Sequence, residues 1–88
     1  LYELEQKISG RIDEKTEDSY TYSLYQKGIN KVAQKVGEEA VELVIEAKDD
    51  DENLFKNEAA DLLYHFLILL KAKNFTLEEI EKVLRERA

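Results

Sequence analysis

The sequence predicts an all-α protein, a bundle of four to five helices completed by a second copy of the same chain. Three observations lead there. Proline is absent and glycine numbers only 3 in 88 residues, so little in the chain interrupts a helix. Apolar residues recur three and four positions apart through most of the length, the period of an amphipathic helix. The run at 62–70 is apolar almost all round, and such a segment needs more neighbours than a domain this small can offer. A homodimer with this run near its centre supplies them.

The elements follow in order. Leu1, Leu4, Ile8 and Ile12 form one stripe and predict a first helix from Leu1 to about Ile12, weakened at its end by Gly10. Residues 13–18 carry no apolar side chain and read as a loop. Asp18 or Ser19 can cap a short helix through Tyr20, Leu24 and Tyr25, which a stop signal ends near Gly28. Asn30 is the expected N-cap of a third helix running to about Lys48, with Val32, Val36, Ala40, Leu43, Val44 and Ala47 on its buried face. Gly37 within it either is a tolerated defect or lets a backbone or ligand come close. The polar run 48–53 reads as a turn, and Asp51 or Asn53 starts a fourth helix reaching about Lys73. Thr76-Leu77-Glu78-Glu79 is a capping box, and a last helix carries Ile80, Val83 and Leu84.

Composition narrows the function. A formal charge of −7 disfavours unassisted nucleic-acid binding, which needs a basic face. It leaves room for a phosphorylated small molecule if metal ions supply positive charge locally. Without cysteine there is neither a disulfide nor a thiolate metal site, as expected of a cytoplasmic protein. No apolar run reaches the length of a membrane span.

The chemistry concentrates in Glu39-Ala-Val-Glu42 and Glu58-Ala-Ala-Asp61. Each is a pair of carboxylates three residues apart, hence on one helix face. If the flanking helices fold back about Asp50, residues equally far from it meet: Glu39 faces Asp61 and Glu42 faces Glu58. The two rungs are then about 4.5 Å apart along axes roughly 8–10 Å apart. Four carboxylates around one small volume repel unless divalent cations sit among them, and all-oxygen ligands favour Mg²⁺, with Mn²⁺ as substitute. The bland alternative, a solvated acidic face, gives no reason for the pairs to align. Glu46 extends the row by a turn and reads as surface. Glu38 borders the cluster and can orient a water or hold a second metal through one, with plain helix-surface charge the alternative. Lys27, Lys31 and Lys35 recur every four residues; Lys35 shares a level with His65, one turn beyond the Glu39–Asp61 rung, where an ammonium would stabilise a polyphosphate. Arg11 can clamp a phosphate with both arms of its guanidinium. His65, the only histidine, lies in an apolar stretch and is expected to be packed and hydrogen-bonded, while its level beside Lys35 keeps a role in the site open.

Three stretches then point to a family. Ser19-Tyr20-Thr21, Gln34-Lys35-Val36-Gly37-Glu38-Glu39-Ala40-Val41-Glu42 and Glu58-Ala59-Ala60-Asp61-Leu62-Leu63-Tyr64-His65 together resemble phosphoribosyl-ATP pyrophosphohydrolases, within the MazG-like all-α nucleotide pyrophosphohydrolases. The resemblance implies hydrolysis of phosphoribosyl-ATP to phosphoribosyl-AMP and pyrophosphate, the second step of L-histidine biosynthesis, with Mg²⁺ required. With the geometry above, the metal-ligand candidates are Glu39, Glu42, Glu58 and Asp61, the catalytic candidates Glu38, Glu39 and Lys35, and the substrate-binding candidates Arg11, Ser19, Tyr20, Thr21, Lys27, Lys31 and Lys35, with an ordinary surface role the open alternative for Arg11, Lys27 and Lys31. The resemblance also implies one stand-alone domain over residues 1–88, any cyclohydrolase lying on another chain. Two other readings stay open: a MazG-type enzyme for other nucleoside triphosphates, and a non-enzymatic helical dimerisation module.

Overall fold

A computed structural model describes all of residues 1–88. Five helices follow one another without a strand: α1 (Tyr2–Asp13), α2 (Tyr20–Gln26), α3 (Ile29–Ala47), α4 (Glu52–Ala72) and α5 (Leu77–Arg87). The frame is the antiparallel hairpin of α3 and α4, with α1 and α2 laid across one end of it.

Local chemistry accounts for the boundaries. Ser19 caps α2 by accepting a hydrogen bond from the Tyr22 amide, and Asp51 caps α4 by accepting one from Leu54 at 3.0 Å. Thr76 and Glu79 form the expected capping box of α5, each side chain satisfying the other's amide. The start of α3 differs from expectation. Gly28, not Asn30, is the N-cap, and Asn30 lies within the first turn. Gly28 has φ 96°, a conformation a residue with a Cβ adopts only under strain, so the chain turns out of α2 and into α3 at this one position. No side chain caps the end; the Gly28 carbonyl accepts from the Val32 amide instead. α1 passes through Gly10 and ends at Asp13, which carries Arg11 in its last turn.

The buried apolar core consists of Ile8 and Ile12 from α1, Leu24 from α2, Val32 from α3, and Leu67, Ile68 and Leu70 from α4. Burying each such side chain is worth about 1.5–3 kcal/mol. All seven lie at the end of the hairpin that α1 and α2 cover. The other end is bare. Val41, Val44 and Ile45 of α3 and Leu54 and Phe55 of α4 are exposed, Val44 to 57%. The sequence places Val44 and Ala47 on the buried face of α3; within one chain both are open to solvent, because nothing crosses that half of the hairpin. Leu1 likewise stands outside its stripe, exposed ahead of α1. Along 62–70 the helix is only partly enclosed: His65, Leu67, Ile68 and Leu70 are buried and Leu63 is exposed. α5 is tied to α1 by polar contacts, the Leu77 amide donating to Glu5 at 2.6 Å and Tyr2 bonding Glu81.

Candidate functional site

The acidic pairs lie on the hairpin where its covered end gives way to its bare end. α3 and α4 run antiparallel from a turn at Asp49 and Asp50, so both pairs face each other across the gap. One carboxylate oxygen from each of Glu39, Glu58 and Asp61 lies within 4.8 Å of the others. Glu39 is the most enclosed, only 6% exposed, and one of its oxygens is buried without any hydrogen-bond donor. One oxygen of Glu58 is orphaned in the same way. Buried carboxylate oxygens without donors are costly, and a cation is the partner that would satisfy several at once. The fourth carboxylate, Glu42, is exposed and stands outside this trio, but it reaches the carboxyl of Glu58.

That contact decides the protonation of Glu58. A proton shared with Glu42, then desolvation, then the negative charges of Glu42, Glu39 and Asp61 push its pKa up to about 7. The residues thus fit a hard cation: the donors are all oxygen, buried oxygens of Glu39 and Glu58 lack partners, and the raised pKa of Glu58 reflects mutual repulsion that a cation would relieve.

Lys35 sits beside the cluster, its ammonium 3.3 Å from Glu39 and 3.5 Å from Glu38. Burial would lower its pKa, but the hydrogen bonds to Glu39 and Glu38 and the charge of Glu39 prevail and raise it, so the side chain stays cationic. Glu38 is not among the converging carboxylates. Its carboxylate accepts from the Gln34 amide at 2.7 Å and faces Lys35, and these contacts hold its pKa low. Lys27 follows α2 as its C-cap, and Lys31 projects from the first turn of α3; both are exposed.

Above the Glu39–Asp61 rung, α2 is stapled to α4 by two side-chain hydrogen bonds. Tyr20 bonds His65 Nε2 at 2.7 Å, and Thr21 bonds the hydroxyl of Tyr64. His65 is buried, as its apolar surroundings predict, and its Nδ1 lies 2.7 Å from the Asp61 carbonyl. Arg11, Ser19 and Tyr20 line a shallow hollow with Thr16, Asp18 and Tyr64. Arg11 is thereby brought beside the short helix, and the Tyr20 ring is half exposed to the same space. Thr21 is not. It is 0% exposed with its hydroxyl engaged by Tyr64, so it anchors α2 rather than meeting a ligand, contrary to the sequence expectation. Two further expectations change. Glu46 is half-buried with an orphaned oxygen instead of lying on the surface. Gly37 faces open space, with nothing within 4 Å of the position a Cβ would take, so no backbone of this chain approaches it. Sequence reasoning did not foresee the Tyr20–His65 and Thr21–Tyr64 pairs; the polar groups of Tyr64 and His65 inside an otherwise apolar run were the available signal.

The all-α bundle with carboxylates gathered on its central hairpin resembles the MazG-like class of nucleotide pyrophosphohydrolases. Comparison with known families narrows it: the family model described as phosphoribosyl-ATP pyrophosphohydrolase matches residues 1–88. The chain belongs to this family. It is 51% identical over 87 residues to a phosphoribosyl-ATP pyrophosphatase of Streptococcus gordonii, covering 99% of this chain and 84% of that protein. It is 48% identical over 87 residues to one from Pyrobaculum arsenaticum, covering 99% and 93%. A histidine biosynthesis bifunctional protein, HisIE, of Bacteroides thetaiotaomicron is 47% identical over 87 residues, which span 99% of this chain and 43% of that longer protein.

Proposed function

We propose that the chain hydrolyses phosphoribosyl-ATP to phosphoribosyl-AMP and pyrophosphate, a step of histidine biosynthesis, as one domain over residues 1–88. The convergence of Glu39, Glu58 and Asp61 in a chain of this family carries the reading. Glu39, Glu58 and Asp61, with Glu42 at the rim, would hold Mg²⁺, or Mn²⁺ in its place. When bound, the cation supplies positive charge to the phosphate oxygens and Lewis acidity at the phosphoanhydride. The chain's own residues do the rest. Lys35, kept cationic beside Glu39, stabilises charge on the polyphosphate and the departing pyrophosphate. Glu38, held ionised by Gln34 and Lys35, would accept a hydrogen bond from water reaching the cluster. Arg11 and Ser19 flank the hollow beside Tyr20 and offer a guanidinium and a hydroxyl to the substrate, while Lys31 and Lys27 extend the cationic row.

A homodimer is part of the proposal. Val41, Val44, Ile45, Leu54 and Phe55 leave the bare half of the hairpin apolar and uncovered, and a second copy would bury them. The cysteine-free sequence supports a cytoplasmic setting, and no helix is long and apolar enough to cross a membrane.

The test is pyrophosphate release with Mg²⁺, comparing phosphoribosyl-ATP with ATP and a panel of deoxynucleoside triphosphates. Strong preference for phosphoribosyl-ATP is the expected result, with turnover abolished in Glu39→Ala and Asp61→Ala while their helical circular dichroism is retained. Wild-type turnover in either variant would sink the metal-site assignment. Preference for the panel would keep the phosphate chemistry and overturn the substrate.

A further inference from the structure

The hydrogen bonds around His65 can be assigned a direction. Its Nδ1 lies 2.7 Å from the carbonyl oxygen of Asp61, one turn earlier on α4. A carbonyl oxygen carries no proton, so in the neutral ring Nδ1 is the donor. The other ring nitrogen, Nε2, then presents only a lone pair. Nε2 is 2.7 Å from the hydroxyl of Tyr20, so Tyr20 must donate its proton to His65. The ring of Tyr20 meets His65 edge-on, with an angle of 80° between their planes.

The consequence falls on the outward side of the phenol oxygen. Its single proton is committed to His65, so toward the site it offers lone pairs only. A phosphate oxygen also offers only lone pairs, and the two cannot bond each other. A phenol held in this way is suited to receive an O–H group. Tyr20 is placed to meet one: it is half exposed, and it lines the hollow shared with Arg11 and Ser19. It also lies within electrostatic reach of Lys35, Glu39 and Asp61; burial and the two carboxylates raise its pKa against the opposing pull of Lys35 and keep the hydroxyl protonated.

We propose that Tyr20 acts as a hydrogen-bond acceptor for a neutral O–H group of the reacting complex, either a substrate hydroxyl or water among the carboxylates, and that His65 is the positioning residue that fixes it in this role. The inference rests on the hydrolase reading above. Tyr20 is thereby distinct from the residues that meet phosphate, and the buried histidine has a function. His65 orients Tyr20 and does not touch the substrate. The Thr21–Tyr64 bond holds α2 against α4 beside it, so the phenol is presented by a fixed backbone.

Two measurements test it on the full chain. The chain has a single histidine, so its ¹⁵N resonances are unambiguous. The neutral ring is expected to carry its proton on Nδ1, and Tyr20→Phe should shift Nε2 while leaving that tautomer unchanged. An Nε2–H tautomer would overturn the assignment, and this arm needs no enzymatic activity. The second arm is steady-state kinetics on phosphoribosyl-ATP with Mg²⁺; an inactive wild type would refute the hydrolase reading itself, separately from this one. In Tyr20→Phe, kcat/KM should fall roughly five- to tenfold, the effect of one lost neutral hydrogen bond. A rise in KM alone identifies a substrate hydroxyl as the donor, and a fall in kcat identifies water. His65→Leu should cause a similar loss alone and none when added to Tyr20→Phe, because His65 acts through that phenol. Unchanged kinetics in Tyr20→Phe, or additive losses in the double variant, would overturn the proposal.

Discussion

Binding of Mg²⁺ should release a proton, in a number that Glu58 sets. Its carboxyl shares a proton with Glu42 near Glu39 and Asp61, and its pKa is pushed up to about 7. A carboxyl that coordinates a cation must be ionised, so each binding event expels whatever proton Glu58 retains. From a midpoint of about 7, the carboxyl is roughly 90% protonated at pH 6, about half at pH 7 and roughly 10% at pH 8. Release should therefore fall from about 0.9 proton per chain at pH 6 to about 0.1 at pH 8. Calorimetric titration in two buffers of different ionisation enthalpy measures this number directly. The same proton governs stability without metal. The folded chain binds it more tightly than the unfolded chain, whose carboxyl titrates at about 4.5, so the contribution is full below that pH and is lost as pH rises through about 7. Metal-free protein should lose stability across that window, and the rise in melting temperature with Mg²⁺ should be larger at pH 8 than at pH 6. Glu58→Gln should abolish both trends. Proton release equal at pH 6 and pH 8, or a trend that survives Glu58→Gln, would refute the shared-proton account.

Other perturbations separate packing, backbone and site. Ile68 is fully buried in α4, and Ile68→Ala should cost about 2–5 kcal/mol in urea unfolding. Gly28→Ala forces a Cβ into φ 96° between α2 and α3 and should destabilise by about 1–2 kcal/mol, although the space itself is open. Gly37→Ala adds a Cβ to open space on α3 and should stabilise by up to about 1 kcal/mol. If turnover falls in that stabilised variant, the glycine is there for a ligand or a second chain; unchanged turnover marks it as a tolerated defect. Thr76→Ala removes the side chain that opens α5 and should cost about 1 kcal/mol by the same unfolding measurement.

The sequence by itself determined the helices and the acidic cluster, because both depend on spacing along the chain. Periodicity and caps located α1, α2, α4 and α5 to within a residue or two, and the carboxylate spacing with a turn near Asp50 predicted which rungs meet. Only the tertiary structure decided what covers what. Val44 and Ala47 satisfy the same helical period as Val32, yet they are exposed, because α1 and α2 cross the other end of the hairpin. Asn30 is a good capping residue by composition, but the chain turns at Gly28, where positive φ is tolerated. Thr21 and Tyr20 are neighbours in one motif, and one is sealed against Tyr64 while the other opens on the site. Burial and hydrogen-bond direction belong to pairs of elements far apart in the chain: His65 and Tyr20 are 45 residues apart, and no local pattern encodes which proton each holds.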